Sequence, residues 1–435
     1  MGKVMRILGC LTLLALVFAR LTPATVQAAS DCDLSQGALI GTLAQGINCV
    51  DGDGLHDFQL KSSVLDVTSL DDVAVCGDNI LVLHIFGISS YDGSNWSDFE
   101  VPSEVFAPNA LACASADDVW IAHTSGVSHY VGGEWTTFED DKFGTSPFII
   151  GVDDIAVGAD ESVWAATSNS IARYNDGEWQ VFENGSGWDQ DYSLGGFVLN
   201  SDGLPTAVYS EGLLVFDGDE WNELEKAPIT GLQGIAVDLD GRIWVGSISS
   251  GVAVYDDDGW EVYNTDNGLS SNSIHSLATD GQGRVWVGTG WGLSVLDGDE
   301  WTVYQMGNSD LLDNNVQFVD VFGDGPDLPE TEEKETGSII GVVEAGRDSV
   351  PNADVELCTE SVGGVFYGDS PCEGQPGEML ATTNDDGEFI FEDVPAGRYD
   401  VVINGPDGWI YFIGADKVVV TPGEETDLDD IDVSN

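Results

Sequence analysis

Short apolar runs separated by turns rich in glycine and aspartate recur along most of the chain. The clearest unit is GRVWVGTGWGLSVLDGDEWTVY (283–304), and GRIWVGSISSGVAVYDDDGWEVY (241–263) repeats it. The runs are rich in β-branched and aromatic residues, which predicts strands. Asp-Gly or Gly-Asp lies between the third and fourth strands, where a tight hairpin needs positive φ. With SIHSLATD (273–280) as its first strand, the unit predicts a four-stranded antiparallel sheet with strands A to D.

The unit returns at a regular spacing. Further copies occupy 161–182 and 117–138, and weaker copies occupy 203–224 and 78–99. The tryptophans of strand D are spaced 39, 44, 42, 39 and 41 residues apart: Trp96, Trp135, Trp179, Trp221, Trp260 and Trp301. Four short strands repeated about every 40 residues are typical of the blades of a β-propeller.

The two ends of the repeat region complement each other. Residues 38–59 read as strands B, C and D without an A, whereas residues 314–323 read as strand A alone. Pairing these fragments closes the ring and removes a free sheet edge. Together with the six complete copies, they predict an all-β fold with a seven-bladed β-propeller over residues 38–322.

The stretch GLSSNSIHSLATDGQGRVWVGTGWGLSVLDGDEWTVY (268–304) resembles the two-component-regulator propeller repeat of periplasmic sensor regions in bacterial signalling proteins. The resemblance covers most of residues 38–322. It implies a non-catalytic module that senses a ligand or binds a partner. No kinase, DNA-binding region or membrane helix follows in the sequence, so a direct sensor-kinase role is not expected.

The C-terminal part differs in pattern. Residues 323–337 are acidic and rich in Pro and Gly, which predicts a solvated linker. Residues 338–435 alternate apolar and polar positions in short runs, which predicts a small β-sandwich. This region is similar to the carboxypeptidase regulatory-like, transthyretin-like family, through SVPNADVELC, TTNDDGEFIFEDVPAGRYDVVI and VVVTPGEETDLDDIDV. That resemblance implies a non-catalytic accessory module without peptidase activity.

Residues 1–29 predict a secretory signal peptide. Lys3 and Arg6 precede the apolar run 7–19, and small residues follow at 26–28. An uncleaved N-terminal anchor is the alternative. No later stretch has the roughly 20 apolar residues of a spanning helix, so we expect no membrane insertion of the mature chain. We expect a secreted or extracellular protein, with the periplasm or the cell surface as alternatives.

The charge is strongly negative. The chain has 77 Asp and Glu against 13 Lys and Arg, a formal net charge of −64. This argues against nucleic acid and anionic membranes as main partners and favours cations, basic partners or neutral ligands. Asp-rich segments at 50–58, 256–259 and 384–387 predict hairpin turns, with weak Ca²⁺ binding as the alternative. We assign no metal site and no cofactor.

Six of the seven cysteines remain after cleavage, and an even number in a secreted chain suggests disulfides. Two cysteines lie at corresponding places of adjacent repeats, and two lie close together in the last domain. The predicted pairs are Cys76 with Cys113, Cys358 with Cys372, and Cys32 with Cys49. Six cysteines allow 15 pairings, so other pairings stay open.

Two tryptophans lie outside the repeat core. Trp291 is in the B–C turn of the last complete copy, and Trp188 is in a D–A connection. In a propeller these connections share one side, which we call the top face. Exposed aromatic rings there are suited to stacking on a sugar or clamping a peptide. The alternative is that each ring packs against its own loop.

Polar residues align at two further levels of the repeat. His84 and His123 end strand B in adjacent copies, where two imidazoles are suited to sharing a metal or binding a ligand, with loop hydrogen bonding as the alternative. Residues that align at the start of strand A predict a polar pocket at the upper mouth of the channel, or water binding there: His275, Gln233, Gln317 and Asp153.

The sequence shows no nucleophile elbow, zinc-protease motif or phosphate loop, so we assign no catalytic residues. The favoured hypothesis is a secreted, non-catalytic protein that recognises an extracellular carbohydrate or peptide on the top face, with the sandwich as accessory module. A structural extracellular scaffold is the runner-up. A propeller enzyme, either a lyase or a hydrolase, is the third hypothesis.

Overall fold

The computed structural model is all-β over the residues that it describes. These are residues 37–433 except 43–45, 53, 59–69, 78, 85–86, 93–94, 106, 140–142, 144–150, 159, 184–193, 201, 210–211, 225, 257, 360–364, 367–369, 371, 373–374, 376–377, 406–407 and 412–417. No helix occurs in these ranges, and they therefore contain no helix able to cross a membrane.

The strands before residue 322 form four-stranded antiparallel sheets. The chain begins with β1 (Ala38–Thr42), β2 (Gly46–Asp51) and β3 (Gly54–Phe58). Two complete sheets follow: β4 (Leu70–Cys76), β5 (Asn79–His84), β6 (Gly87–Tyr91) and β7 (Trp96–Phe99); β8 (Pro108–Ser115), β9 (Asp118–His123), β10 (Gly126–Val131) and β11 (Glu134–Glu139).

The next two sheets are β12 (Asp154–Val157), β13 (Val163–Thr167), β14 (Ser170–Asn175) and β15 (Glu178–Glu183); β16 (Leu194–Leu199), β17 (Pro205–Tyr209), β18 (Gly212–Phe216) and β19 (Trp221–Glu223). The last complete sheets are β20 (Leu232–Val237), β21 (Ile243–Ser247), β22 (Val252–Asp256) and β23 (Gly259–Tyr263); β24 (Ile274–Thr279), β25 (Val285–Thr289), β26 (Gly292–Asp297) and β27 (Glu300–Tyr304). Strand β28 (Val316–Val321) follows them.

Over the described residues before position 322, the strands form seven sheets, and these close into a ring. Strand β28 pairs antiparallel with β1, with Asp320 opposite Leu39, and completes the sheet of β1–β3. The innermost strands contact one another in cyclic order, from β4 through β8, β12, β16, β20 and β24 to β28, and β28 contacts β4. The structure therefore confirms the predicted propeller and its closure by a late strand A.

The blades are held together by apolar side chains on both faces of each sheet. The second strand of each blade is almost entirely buried, and Trp164, Trp244 and Trp286 have no exposed surface. Trp286 packs with Ala38 and Leu293 in one interblade cluster. Burial of such large rings between sheets provides much of the apolar stabilisation. Among the C–D hairpin glycines, Gly298 has the expected positive φ of 61°.

The A–B turns carry a repeated polar motif. In the turn between β24 and β25, Asp280 Oδ2 accepts hydrogen bonds from Arg284 Nε at 2.6 Å and Trp286 Nε1 at 2.9 Å. Asp238 makes the equivalent bonds in the preceding blade, with Arg242 Nε at 2.7 Å and Trp244 Nε1 at 2.8 Å. The motif fixes a buried tryptophan to its own turn.

Two predicted disulfides are confirmed. Cys76 is bonded to Cys113 across adjacent blades, and Cys358 is bonded to Cys372 within the last domain. Cys49 is also disulfide-bonded. Cys32 lies outside the described residues, so its predicted pairing with Cys49 stays a prediction.

The C-terminal domain has two sheets around one core. The first contains β29 (Gly337–Ala345), β30 (Asp348–Ser349), β34 (Glu388–Val394) and β38 (Glu425–Asp432). The second contains β31 (Asp354–Cys358), β32 (Val365–Phe366), β33 (Met379–Thr382), β35 (Gly397–Gly405), β36 (Gly408–Tyr411) and β37 (Val418–Val420). Ile339, Phe391 and Val401 are among the buried residues of the shared core.

The segment that we predicted to be a solvated linker is bonded to the propeller. The backbone N–H groups of Glu332 and Lys334 donate to Asn308 O and Gly307 O at 2.8 and 2.6 Å. The hydroxyl of Tyr304 donates to Pro329 O at 3.0 Å. These bonds hold the segment along the last complete blade, because each fixes a backbone group of one part to the other.

Candidate functional site

Polar side chains at the start of the innermost strands bond to the next blade. Gln233 donates from Nε2 to Ile274 O, and His275 Nδ1 lies 3.0 Å from Val316 O. Asn109 makes the equivalent bond from the blade β8–β11. Each of these residues is therefore used, at least in part, to link neighbouring blades at the mouth of the channel.

The structure brings His275 and Gln317 into direct contact. Gln317 Nε2 lies 3.1 Å from His275 Nδ1 and also donates to Asn315 Oδ1. A protonated Nδ1 donates to Val316 O, whereas an unprotonated Nδ1 accepts from the Gln317 amide. The imidazole tautomer thus determines which of two neighbours His275 binds.

Asp153 is the exposed member of the predicted set. It lies at the start of β12, two blades before Gln233, and no contact joins it to His275, Gln233 or Gln317 in the described residues. Burial of part of its carboxyl raises the pKa of Asp153, and the N–H of Ser168 lowers it. The four residues therefore share a level of the ring without forming one cluster.

Three carboxylates of the innermost strands were not foreseen from the sequence. Asp72 Oδ2 accepts from Leu111 N of the next blade at 2.8 Å, and burial raises the pKa of Asp72 to about 7 although two backbone N–H groups lower it. Burial likewise raises the pKa of Asp154 to about 6 and that of Asp320 to about 7. Asp154 Oδ2 accepts from Phe197 N at 3.1 Å. The sequence did contain a sign of these carboxylates, because Asp72 and Asp154 occupy the same position of strand A in two copies of the repeat.

His84 and His123 are buried beneath the top face. Each places Nε2 3.0 Å from a serine of the following strand, Ser89 and Ser128 respectively. The N–H of Ser125 donates to His123 Nδ1 at 3.2 Å, so Nε2 carries the proton and donates to Ser128. Burial lowers the pKa of His123 to about 4, which keeps it neutral.

These contacts correspond to the loop hydrogen bonding that we gave as the alternative role of the two histidines. In the part of the chain that is described, no group of three His, Cys, Asp or Glu side chains is placed to hold a metal ion. The polar bonds of His84 and His123 tie the end of strand B to strand C.

Trp291 does not form an exposed aromatic platform, and that prediction is wrong. Its side chain is only 6% exposed and belongs to the core of the C-terminal domain, with its ring 5.3 Å from that of Tyr399. The repeat places the B–C turn on the top face, but it carries no information about a second domain packing over that turn. Trp188, its predicted partner, lies outside the described residues.

A buried ion pair accompanies Trp291 at this contact. Arg398 Nε lies 3.1 Å from Asp313 Oδ2, and the two side chains are 11% and 4% exposed. Arg398 belongs to β35, whereas Asp313 lies in the connection between β27 and β28. The C-terminal domain therefore covers the top face at the last complete blade.

Comparison with known proteins supports the propeller repeat. Residues 268–291 match the family model described as Two component regulator propeller. This stretch is therefore similar to the two-component-regulator propeller repeat. No curated protein matches the sequence. The likeness of the C-terminal domain to the carboxypeptidase regulatory-like family stays a prediction.

Several solved structures are similar to this chain at low identity. The extracellular domain of the putative one component system BT4673 from B. thetaiotaomicron has 14% identity and a TM-score of 0.47, over 67% of this chain and 49% of that chain. This chain thus spans about half the length of that domain. Virginiamycin B lyase from Staphylococcus aureus has 11% identity and a TM-score of 0.47, over 74% and 93% of the two chains.

The surface component PorZ of the type-IX secretion system of Porphyromonas gingivalis has 13% identity and a TM-score of 0.45. The match covers 85% of this chain and 62% of PorZ. Likenesses at this level carry no argument about activity, since one fold hosts many functions.

Proposed function

We propose that this protein is a non-catalytic binding protein that acts outside the cytoplasm. The propeller recognises a neutral carbohydrate or a peptide on the part of the top face that the C-terminal domain leaves open. The C-terminal domain is an accessory module, fixed in place by Trp291 and Arg398. The propeller repeat at 268–291 supports a binding role, and the disulfides support an oxidising compartment.

The observation that carries this proposal is the set of hydrogen-bonding side chains at the start of the innermost strands, at the channel mouth. Gln233, His275 and Gln317 are half-buried there, and Asp153 is exposed at the same level. Amide and imidazole groups offer both donors and acceptors, which suits sugar hydroxyls or peptide groups. The net charge of −64 repels anionic ligands.

The test is retention of the chain without residues 1–29 on a panel of polysaccharides, cell-wall fractions and immobilised peptides, with and without EDTA. The double variant Gln317→Ala/Asp153→Ala removes two groups of the mouth, and Trp188→Ala removes the predicted loop aromatic. The matched control is Leu239→Ser, whose side chain is 69% exposed on an A–B turn of the opposite face.

We expect at least one ligand to retain the protein and the double variant to bind it about tenfold more weakly or worse, with the control unchanged. Loss of retention with EDTA would add a cation to the site. Failure of the whole panel to retain the protein would contradict the proposal and favour a scaffold role.

A further inference from the structure

The place where the propeller ring closes carries an unusual carboxyl. Strand β28 comes from the end of the propeller and completes the first blade by pairing with β1. It also contacts β4 of the next blade, and we call this contact between β28 and β4 the seam. Asp320 lies on β28, directly opposite Leu39 of β1.

Asp320 occupies a position that is apolar in the other blades. In four blades this position holds an alanine that faces a buried tryptophan, as Ala278 faces Trp286. Leu39 is smaller than tryptophan, so the first blade has room for a longer side chain opposite it. The residues equivalent to Asp320 are Ala74, Ala112, Ala156, Val198, Ala236 and Ala278.

The side chain of Asp320 faces the apolar packing between the first two blades. Directly opposite residues of an antiparallel pair share a face of the sheet, and so do alternate residues of one strand. Asp320 therefore lies on the same side as Leu39, Phe318 and Phe322. These three side chains belong to one apolar cluster with Val73 of β4.

The strands that surround Asp320 supply no cation. Strands β1, β2, β4, β5, β12 and β24 contain neither Lys nor Arg. The charge of Asp320 repels that of Asp72 and raises the pKa of Asp72. The described titratable side chains of these strands are Asp51, Asp72, His84, Asp154 and His275.

The seam also differs from several other contacts between blades, which polar bonds reinforce. Asp72 accepts from Leu111 N between β4 and β8, and Ser276 Oγ accepts from Val319 N at 3.1 Å between β24 and β28. Among the described residues of β28 and β4, no side-chain hydrogen bond or disulfide joins the two strands. The seam thus depends on apolar packing, and an ionised carboxyl brings an unpaired charge into that packing.

We propose that Asp320 is a pH-sensitive latch of the propeller ring. With its carboxyl protonated, Asp320 packs as a neutral side chain and β28 stays against β4. Ionisation places a charge beside Phe318 and Asp72, and release of β28 from the seam lets water reach that charge. The ring is therefore tightly closed in acidic surroundings and opens more often at the seam as the pH rises. This inference concerns ring closure and does not rest on the function proposed for the propeller.

The titration of Asp320 supports this direction and gives the pH range. Burial raises the pKa of Asp320 from 3.8 to about 7, although the N–H of Val321 lowers it. The protonated carboxyl stabilises the closed seam fully below the ordinary pKa, and this contribution is lost as the pH rises through about 7. A comparison between about pH 5 and about pH 8 therefore spans most of the change.

The test measures hydrogen exchange of the backbone amides of β1 and β28 in the full chain at these two pH values. Wild type and Asp320→Asn are compared at the same pH, so that the intrinsic effect of pH on exchange cancels. We expect the ratio of the wild-type rate to the variant rate to rise at least about tenfold from the lower to the higher pH. The amides of β20 and β21, in another blade, should show no such rise.

Three further variants separate Asp320 from its surroundings. Asp320→Ala places the residue of five other blades at this position, and it should give the same rise if the asparagine variant does not fold. Asp240→Asn removes a carboxylate from an exposed turn and should give a constant ratio. Asp72→Asn keeps Asp320, so its ratio should rise much less than that of Asp320→Asn.

A ratio that does not change with pH for Asp320→Asn and Asp320→Ala would overturn the proposal. An equal rise at β20 and β21 would overturn it as well, because the whole propeller and not the seam would then be loosened. A rise confined to Asp72→Asn would assign the titration to Asp72 and would also contradict the latch.

Discussion

At the scale of single residues, the innermost strands use buried polar atoms to connect blades. Asp72 accepts from Leu111 N and Asp154 from Phe197 N, while Gln233 donates to Ile274 O. A carboxylate suits this role because it accepts strongly from N–H groups. Its burial is costly, however, and that cost raises its pKa.

The raised pKa of Asp72 predicts a dependence of stability on pH. Burial raises the pKa from 3.8 to about 7, so folding favours the protonated carboxyl. Its contribution is fully present below the unfolded pKa and is lost as pH rises through about 7. We expect the free energy of unfolding, measured with urea in high salt, to fall between these pH values by on the order of 4 kcal/mol.

The variant Asp72→Asn tests the cause of that slope. It removes the titration, so its stability relative to wild type should improve as pH rises. Asp240→Asn removes the same charge from an exposed turn and should leave the slope unchanged. A slope that persists in Asp72→Asn would show that other carboxylates, such as Asp320, are responsible.

At the scale of the structural element, equivalent strands of different blades differ in their hydrogen bonding. The buried tryptophan of strand B has a hydrogen-bond partner in some blades and, within the described part of the chain, none in others. Trp286 and Trp164 are both fully buried on strand B. Trp286 donates to Asp280, whereas Trp164 Nε1 has no hydrogen-bond partner in the described residues. The turn motif formed by Asp280 and Arg284 is thus found in the copies of the repeat that match the common pattern most closely, those of β20–β23 and β24–β27.

This difference predicts that the same substitution lowers the free energy of unfolding by different amounts in the two blades. Trp286→Phe removes buried surface and a hydrogen bond to a charged group, whereas Trp164→Phe removes similar surface without that bond. We expect Trp286→Phe to destabilise the protein by about 1–2 kcal/mol more than Trp164→Phe. Equilibrium denaturation of both variants measures this, and equal losses would show that the Asp280 bond contributes nothing net.

At the scale of the whole molecule, the C-terminal domain and the propeller share a buried contact. Trp291 enters the sandwich core, and Arg398 pairs with Asp313 where water is excluded. The bonds from 329–334 to the last blade restrict the connection further. Such a contact couples the stabilities of the two domains, because neither can unfold without exposing it.

Calorimetry tests this coupling. We expect the two domains of the wild type to unfold in one transition and those of Trp291→Ala in two, since the variant removes the main apolar contact. Val419→Ser, on an exposed position of the C-terminal domain, serves as control and should keep one transition. Two transitions already present in the wild type would contradict the coupling.

The sequence by itself determined the architecture of the propeller. Strand periodicity, turn glycines and the spacing from Trp96 to Trp301 arise from local burial and backbone geometry, so they are visible in one chain. The complementary ends at 38–59 and 314–323 predicted the closure between β1 and β28. Cys76 and Cys113 were paired correctly because the repeat gave them equivalent places.

Only the tertiary structure decided which side chains are buried and which partners they contact. A repeat assigns Trp291 to the top face, but its burial depends on β35, more than 100 residues later in the chain. The bonds of His275 and the raised pKa of Asp72 likewise depend on the neighbouring blade. Contacts between distant segments follow from packing geometry, which no local pattern encodes.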